Sequence, residues 1–78
     1  MKTSAYFDTI RQRADRRSIK DEWIERVIHS PTYEESQADG RIRLWAPIAE
    51  VDNRFLRVIL LPDGETVHNA FFDRRFGR

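Results

Sequence analysis

The chain contains no cysteine. That excludes a disulfide framework and any zinc–thiolate centre, and it fits a reducing compartment. Glycine and proline are scarce, three of each, and no glycine-rich phosphate loop, G-x-S-x-G elbow or Ser-His-Asp set is present. Histidine occurs only twice, as His29 and His68, far apart and with no cluster at ligand spacing around either. Neither a metal nor a cofactor is expected on those grounds. Long apolar runs are missing too: nothing approaches the ~20 residues that span a bilayer, and no signal-peptide pattern follows Met1. These absences point to a soluble, cytoplasmic protein without a membrane partner.

What remains is 78 residues, 40% apolar and 12% aromatic. That is enough for one compact domain over residues 1–78 and too little for a second core. A chain of this size buries only about 60% of its unfolded surface, so self-association or a tight partner would add to a modest stability. Net charge is +1, but it is unevenly placed. Residues 10–18 carry four arginines against Asp15, whereas residues 19–39 carry Lys20 and Arg26 against six carboxylates. Twelve of the fourteen basic residues are arginine. Guanidinium grips phosphate bidentately and stacks on bases, although a GC-rich genome would enrich arginine as well.

Hydrophobic spacing divides the chain in two. In "SAYFDTIRQRADRR", Phe7, Ile10 and Ala14 recur at helical spacing behind Ser4, a candidate N-cap, which predicts a helix from about Ala5 to Ala14. In "SIKDEWIERVIHSP", Ser18 and Asp21 form a capping-box pattern. Trp23, Ile24, Val27 and Ile28 then make one apolar stripe, and Pro31 stops the helix. From Thr32 the period changes to two. "TYEESQADG" reads as a polar edge strand entering a turn at Asp39-Gly40. "RIRLWAPIA" and "RFLRVILL" read as strands, "PDG" as a turn, and "TVHNAFFDRRFGR" as the last strand. The order predicts an α+β fold: two N-terminal helices packed on one face of an antiparallel sheet of about four strands.

Alternation also predicts what the helices leave bare. Ile42, Leu44, Ala46 and Ile48 are wholly apolar and belong under the helices, which puts Arg41, Arg43 and Trp45 on the other face. Leu56, Val58 and Leu60 continue the core row, leaving Phe55, Arg57 and Ile59 with the arginines. A charge in a central strand needs a partner, and two readings stand for Arg57: a network residue paired with an acid such as Asp73, or a ligand-facing cation. The last strand has two readings as well. A three-residue hairpin loop pairing Leu61 with Glu65 puts Asn69 and Phe71 on the face of Arg57, with His68 and Phe72 turned to the helices. A tighter Asp63-Gly64 turn flips every side chain and brings His68 beside Arg57.

The segments "RRSIKDEWIERVIHSP", "GRIRLW" and "RFLRVILLPDGETVHNAFFDRRF" resemble small uncharacterised bacterial proteins placed near the BrnT toxins, within the broad RelE/ParE group. The likeness runs from about Tyr6 to Phe76 and implies the same order of elements. It further implies a ribonuclease-type toxin of a type II toxin–antitoxin pair (an mRNA interferase), neutralised by a separately encoded cognate antitoxin. RelE-like ribonucleases keep their basic residues on the sheet face and in the C-terminal segment, and Arg43, Arg57 and the Arg74-Arg75 pair occupy such places by position. The chain lacks the lysine-rich sheet of RelE and has no tyrosine near its C-terminus.

Two function classes follow. As a metal-independent ribonuclease acting on RNA, the chain needs a base for the 2′-OH and cations for the phosphorane. His68 is the titrating candidate. Arg43 and Arg57 would hold phosphate at the reacting centre, with Asp73 orienting a cation or the imidazole. Arg41, Asn69, Arg74 and Arg75 would bind the RNA strand, and Trp45 or Phe71 would stack a base. As a non-catalytic interaction module, the Arg/Trp face would instead meet an antitoxin tail or a second copy in a homodimer. DNA binding is disfavoured because neither helix is uniformly basic on an exposed face.

Overall fold

The computed structural model describes residues 1–76. Helix α1 spans Ala5–Ile10 and α2 spans Asp21–His29. They are followed by strands β1 (Tyr33–Ser36), β2 (Ile42–Ile48), β3 (Arg54–Leu60) and β4 (Val67–Phe72), with a 3-10 turn at Ala49–Val51. The strands form one antiparallel sheet in the order β1-β2-β3-β4. The α+β architecture expected from the spacing is present, with two helices and four strands. Among the described residues no helix is long and apolar enough to cross a membrane.

Ser4 caps α1 as expected: its Oγ accepts the Phe7 backbone N–H at 3.1 Å. The helix nevertheless ends at Ile10, four residues early, and residues 11–18 form successive turns. Ala14 is exposed there and adds nothing to the stripe. Helix α2 begins at Asp21 with Lys20 as its N-cap and no side-chain cap, so the Ser18–Asp21 capping box does not form. Asp21 pairs with Arg11 instead. Trp23, Ile24 and Val27 are buried as the stripe requires, and Arg26 holds Glu50 of the 3-10 turn through two 2.9 Å bonds. Those bonds are the main reason the Glu50 carboxyl drops to about 2.

One core lies between helices and sheet. Phe7, Ile10, Ile19 and the α2 stripe meet Leu44, Ala46, Ile48, Leu56, Val58, Leu60, Val67 and Ala70. The inward rows read from β2 and β3 are the observed ones. Residues 2–4 run beside the outer edge of β4, where Ser4 N–H donates to Val67 O at 3.0 Å and Val67 N–H to Lys2 O at 2.9 Å. The opposite edge, β1, is exposed at all four positions. Gly40 closes the β1–β2 turn at φ 90° and Gly64 the β3–β4 turn at φ 72°, conformations that side chains rarely adopt. Asp63 braces the latter turn by accepting from the Thr66 hydroxyl and from the backbone N–H groups of Thr66 and Glu65.

The last hairpin follows neither expected register. Leu61 N–H donates to Thr66 O, which makes a four-residue loop rather than a three- or two-residue one. A bulge then intervenes: Leu60 pairs with Val67 but Ile59 pairs with Asn69, leaving His68 as the extra residue. The bulge keeps Val67 in the core, at 0% exposure, and still puts Asn69 and Phe71 on the face of Arg57. Replacing Leu56, fully buried at 0% exposure, with alanine is expected to cost about 2–5 kcal/mol. Urea unfolding will read that loss, while Glu34→Ala on the exposed β1 edge leaves the midpoint near that of the wild type.

Candidate functional site

On the sheet face without helices, β2 contributes Arg43 and Trp45, β3 contributes Phe55, Arg57 and Ile59, and β4 contributes Asn69 and Phe71. The register sets Arg57 between Trp45 and Phe71, and its guanidinium lies 5.4 Å and 5.3 Å from the two ring centroids. Cation and ring attract through the ring quadrupole, so the middle strand holds its charge by aromatic contact on both sides. Arg16 reaches round β4 from the turns after α1. Its guanidinium lies 5.1 Å from the Phe71 centroid and donates to Asn69 Oδ1 at 2.7 Å. Arg16, Phe71, Arg57 and Trp45 therefore alternate cation and ring across the sheet.

The chain then folds back over this row. Phe76 stacks on Trp45 at 4.6 Å and 12°, and also touches Phe55 and Tyr33. Trp45 is only 5% exposed as a result. It shares the face of the arginines, as alternation required, but its ring is occupied by Phe76 and not presented to a base. The phenylalanines of the last segment divide between the two sides of the sheet. Phe72 packs against the helix-side core, whereas Phe71 and Phe76 lie on the opposite side.

Asp73 ties the row together. It accepts the Trp45 indole N–H at 3.1 Å and the Arg75 backbone N–H at 3.1 Å, and it lies 3.6 Å from Arg57. Burial alone would raise its carboxyl pKa; the Trp45 and Arg75 bonds and the Arg57 charge outweigh burial and leave it lowered. Arg57 is shifted down by burial first and by the Arg43 charge second, against the pull of Asp73 and Glu35. Of the two readings left open for Arg57, the acid-paired network is the one present. Arg43 likewise holds Glu35 at 2.9 Å. Yet the Nε–H groups of Arg16, Arg43 and Arg57 are buried without hydrogen-bond partners among the described residues.

His68 belongs to a different cluster. Its Nδ1 lies 3.0 Å from Ser4 Oγ, and its ring stacks on exposed Tyr6 at 4.8 Å. Burial, then the charge of Arg41, lowers the imidazole pKa below its ordinary value and favours the neutral ring. The structure thus joins Arg57, Asp73 and Trp45 directly, reaches Asn69 through Phe71 and Arg16, sets Arg43 beside Arg57, and puts His68 with Ser4 and Tyr6. Arg74 and Arg75 are exposed beyond β4, so only the backbone of Arg75 enters the network. Arg16, Ser4, Tyr6 and Phe76 were missed from sequence. Arg16 stood within the basic run of residues 10–18, but nothing local said that the helix would stop early and swing it round β4.

The sign of the His68 shift gives a pH dependence. The unfolded imidazole takes up a proton near about 6.5 and the folded one only at lower pH. In that window the unfolded state binds more protons, so this contribution is present above the unfolded value and lost as pH falls through the folded one. Denaturant midpoints are expected to drop as the solution is acidified from about pH 7 to about pH 5, and His68→Gln is expected to flatten that slope. Asp73 adds a separate, more acidic loss below the ordinary carboxylate range.

No protein-family model, curated protein or solved structure matches the chain.

Proposed function

We propose that this chain is the toxin of a type II toxin–antitoxin pair, RelE/BrnT-like in fold, and that it acts in the cytoplasm as a metal-independent ribonuclease. The observation that carries the reading is the bulged His68, whose Nδ1 lies 3.0 Å from Ser4 Oγ and whose ring stacks on Tyr6 at 4.8 Å, outside the Arg57–Asp73 network. Arg41 lies just before β2, Arg43 lies within it, and the Arg43 charge acts on Arg57. A base and guanidiniums for the phosphorane are what cleavage at a 2′-OH requires. In this reading His68 takes the 2′-OH proton and the 2′-oxygen attacks phosphorus. Arg41 and Arg43 stabilise the phosphorane, and the P–O5′ bond breaks as the imidazolium returns the proton to the leaving oxygen. Ser4, which touches the ring at Nδ1, orients it. Arg57 and Asp73 support the surface instead of joining the proton transfer.

Both His68→Gln and Arg41→Ala are expected to lower RNA cleavage by about 10²–10⁴-fold, to relieve growth arrest on expression, and to leave the melting temperature within a few degrees of the wild type. Cleavage at the wild-type rate in either variant removes this site from the reaction.

A second reading is favoured by a specific observation. Arg43 and Arg57 already hold Glu35 and Asp73, and Trp45 is covered by Phe76, so the face presents little unpaired charge. As a non-catalytic module the chain would dock its antitoxin or a second copy, with the exposed β1 edge as the place where another strand adds. RNA binding at two salt concentrations, combined with size exclusion, separates the readings. Phosphate binding weakens steeply with salt, whereas apolar association does not.

A further inference from the structure

We infer that the cleft between the α1–α2 connection and the C-terminal end of β4 is a binding site for a nucleotide phosphate. The cleft encloses about 620 Å³ and is bordered by Arg16, Arg54, Arg74, Trp23, Phe71 and Phe72. The three arginines come from three separate segments: the turns after α1, the start of β3, and the turn after β4. Within this cleft Asp15 is the one carboxylate among the described residues, while Arg54 and Arg74 also border an adjoining cleft that holds Asp52 and Asp73. Asp15, at 3.5 Å from Arg16 Nε, belongs to Arg16. Arg54 and Arg74 are exposed and have no ion-pair partner among the described residues. Guanidiniums converging on one cavity repel one another until an anion enters between them, and their planar forks match phosphate oxygens two at a time.

Two further features point the same way. Trp23 borders the cleft, is only 8% exposed, and has an indole N–H with no acceptor among the described residues. Its ring gives the cleft an aromatic wall alongside Phe71 and Phe72. Arg54 and Arg16 are also held in place before any ligand arrives, lying 4.9 Å and 5.1 Å from the centroids of Phe72 and Phe71. Size selects among anions. Inorganic phosphate would leave most of the volume empty, whereas pockets of roughly 300–1,000 Å³ take small organic ligands. Rings alongside guanidiniums suit a base beside its phosphate. The shared chemistry is a nucleoside monophosphate unit, supplied as a free nucleotide or as the phosphorylated end of an RNA strand. The inference is independent of the ribonuclease reading, which uses His68 and Arg41.

The test is titration of the ¹⁵N-labelled full chain with 5′-AMP, adenosine and inorganic phosphate at low salt, following the Trp23 indole N–H (assigned with Trp23→Phe). 5′-AMP is expected to shift that resonance saturably, more tightly than inorganic phosphate, while adenosine leaves it unmoved. Arg54→Ala and Arg74→Ala, both at exposed positions, are each expected to weaken 5′-AMP by about tenfold with unchanged melting. Competition by a 5′-phosphorylated oligoribonucleotide, and not by its 5′-hydroxyl form, assigns the site to RNA ends; displacement by neither assigns it to free nucleotides. Absence of a saturable shift at about millimolar 5′-AMP, or wild-type affinity in both Arg54→Ala and Arg74→Ala, overturns the inference.

Discussion

The contact between Arg57 and its two flanking rings, anchored by Asp73, is what the rest of the molecule depends on. Two short helices can cover one face of a four-stranded sheet and no more. The other face must keep water from its middle strand without a second layer. It does so with a cation between Trp45 and Phe71, a carboxylate that neutralises the cation and fixes the indole, and Phe76 folded over the indole. Leaving a charge half-buried is costly unless it is paired and bonded. Here the pairing residue, Asp73, is also the one that turns the chain back after β4, since it accepts the backbone N–H of Arg75. Charge balance and chain reversal are therefore one event.

The same economy limits what the face can do for a ligand. Guanidiniums that stabilise the fold have already met their carboxylates, and a phosphate arriving at Arg43 or Arg57 has to displace Glu35 or Asp73. Arg41, Arg54 and Arg74 are less committed: Arg41 has only the exposed Asp39 at 3.6 Å, and the other two have no ion pair among the described residues. Polyanion recognition is thus easier at the rim of the sheet than at its centre. The proposed base, His68, and the proposed nucleotide cleft both lie at that rim, on either side of the stretch where α1 and its following turns wrap β4.

Period and polarity carried the fold. The switch from Val27 and Ile28 at helical spacing to Ile42, Leu44, Ala46 and Ile48 at strand spacing marked both layers, and these residues are buried in the core or, as Ile28 and Ile42, packed partly buried against it. Asn69 and Phe71 fell on the face of Arg57 because parity survives an error of two residues in register. Features set by tertiary contact were hidden. Ala14 extended a helical pattern that the structure abandons at Ile10, because ending there lets Arg16 reach Asn69 and Phe71. Ser18 matched a capping box whose partner, Asp21, is drawn to Arg11. Nothing in the local pattern told where Phe76 would pack. Only the Arg57–Trp45 pairing across β3 and β2 leaves a ring for it to cover.

His68 illustrates why such a residue escapes periodic reasoning. A four-residue loop displaces β4 by one position, and without correction either Val67 or Ala70 would leave the core. Both are needed there, at 0% exposure each. Bulging one residue out satisfies both, and the bulged residue is the only one on the strand released from alternation. The sequence places histidine at that position, where Ser4 and Tyr6 from the start of α1 can receive its ring and where its proton affinity is set by burial and by Arg41. A titratable group has thus been put where the sheet's own geometry makes its side chain independent of both faces. Core packing chose the position of the bulge, and the chemistry of the side chain was left free to be chosen for something else.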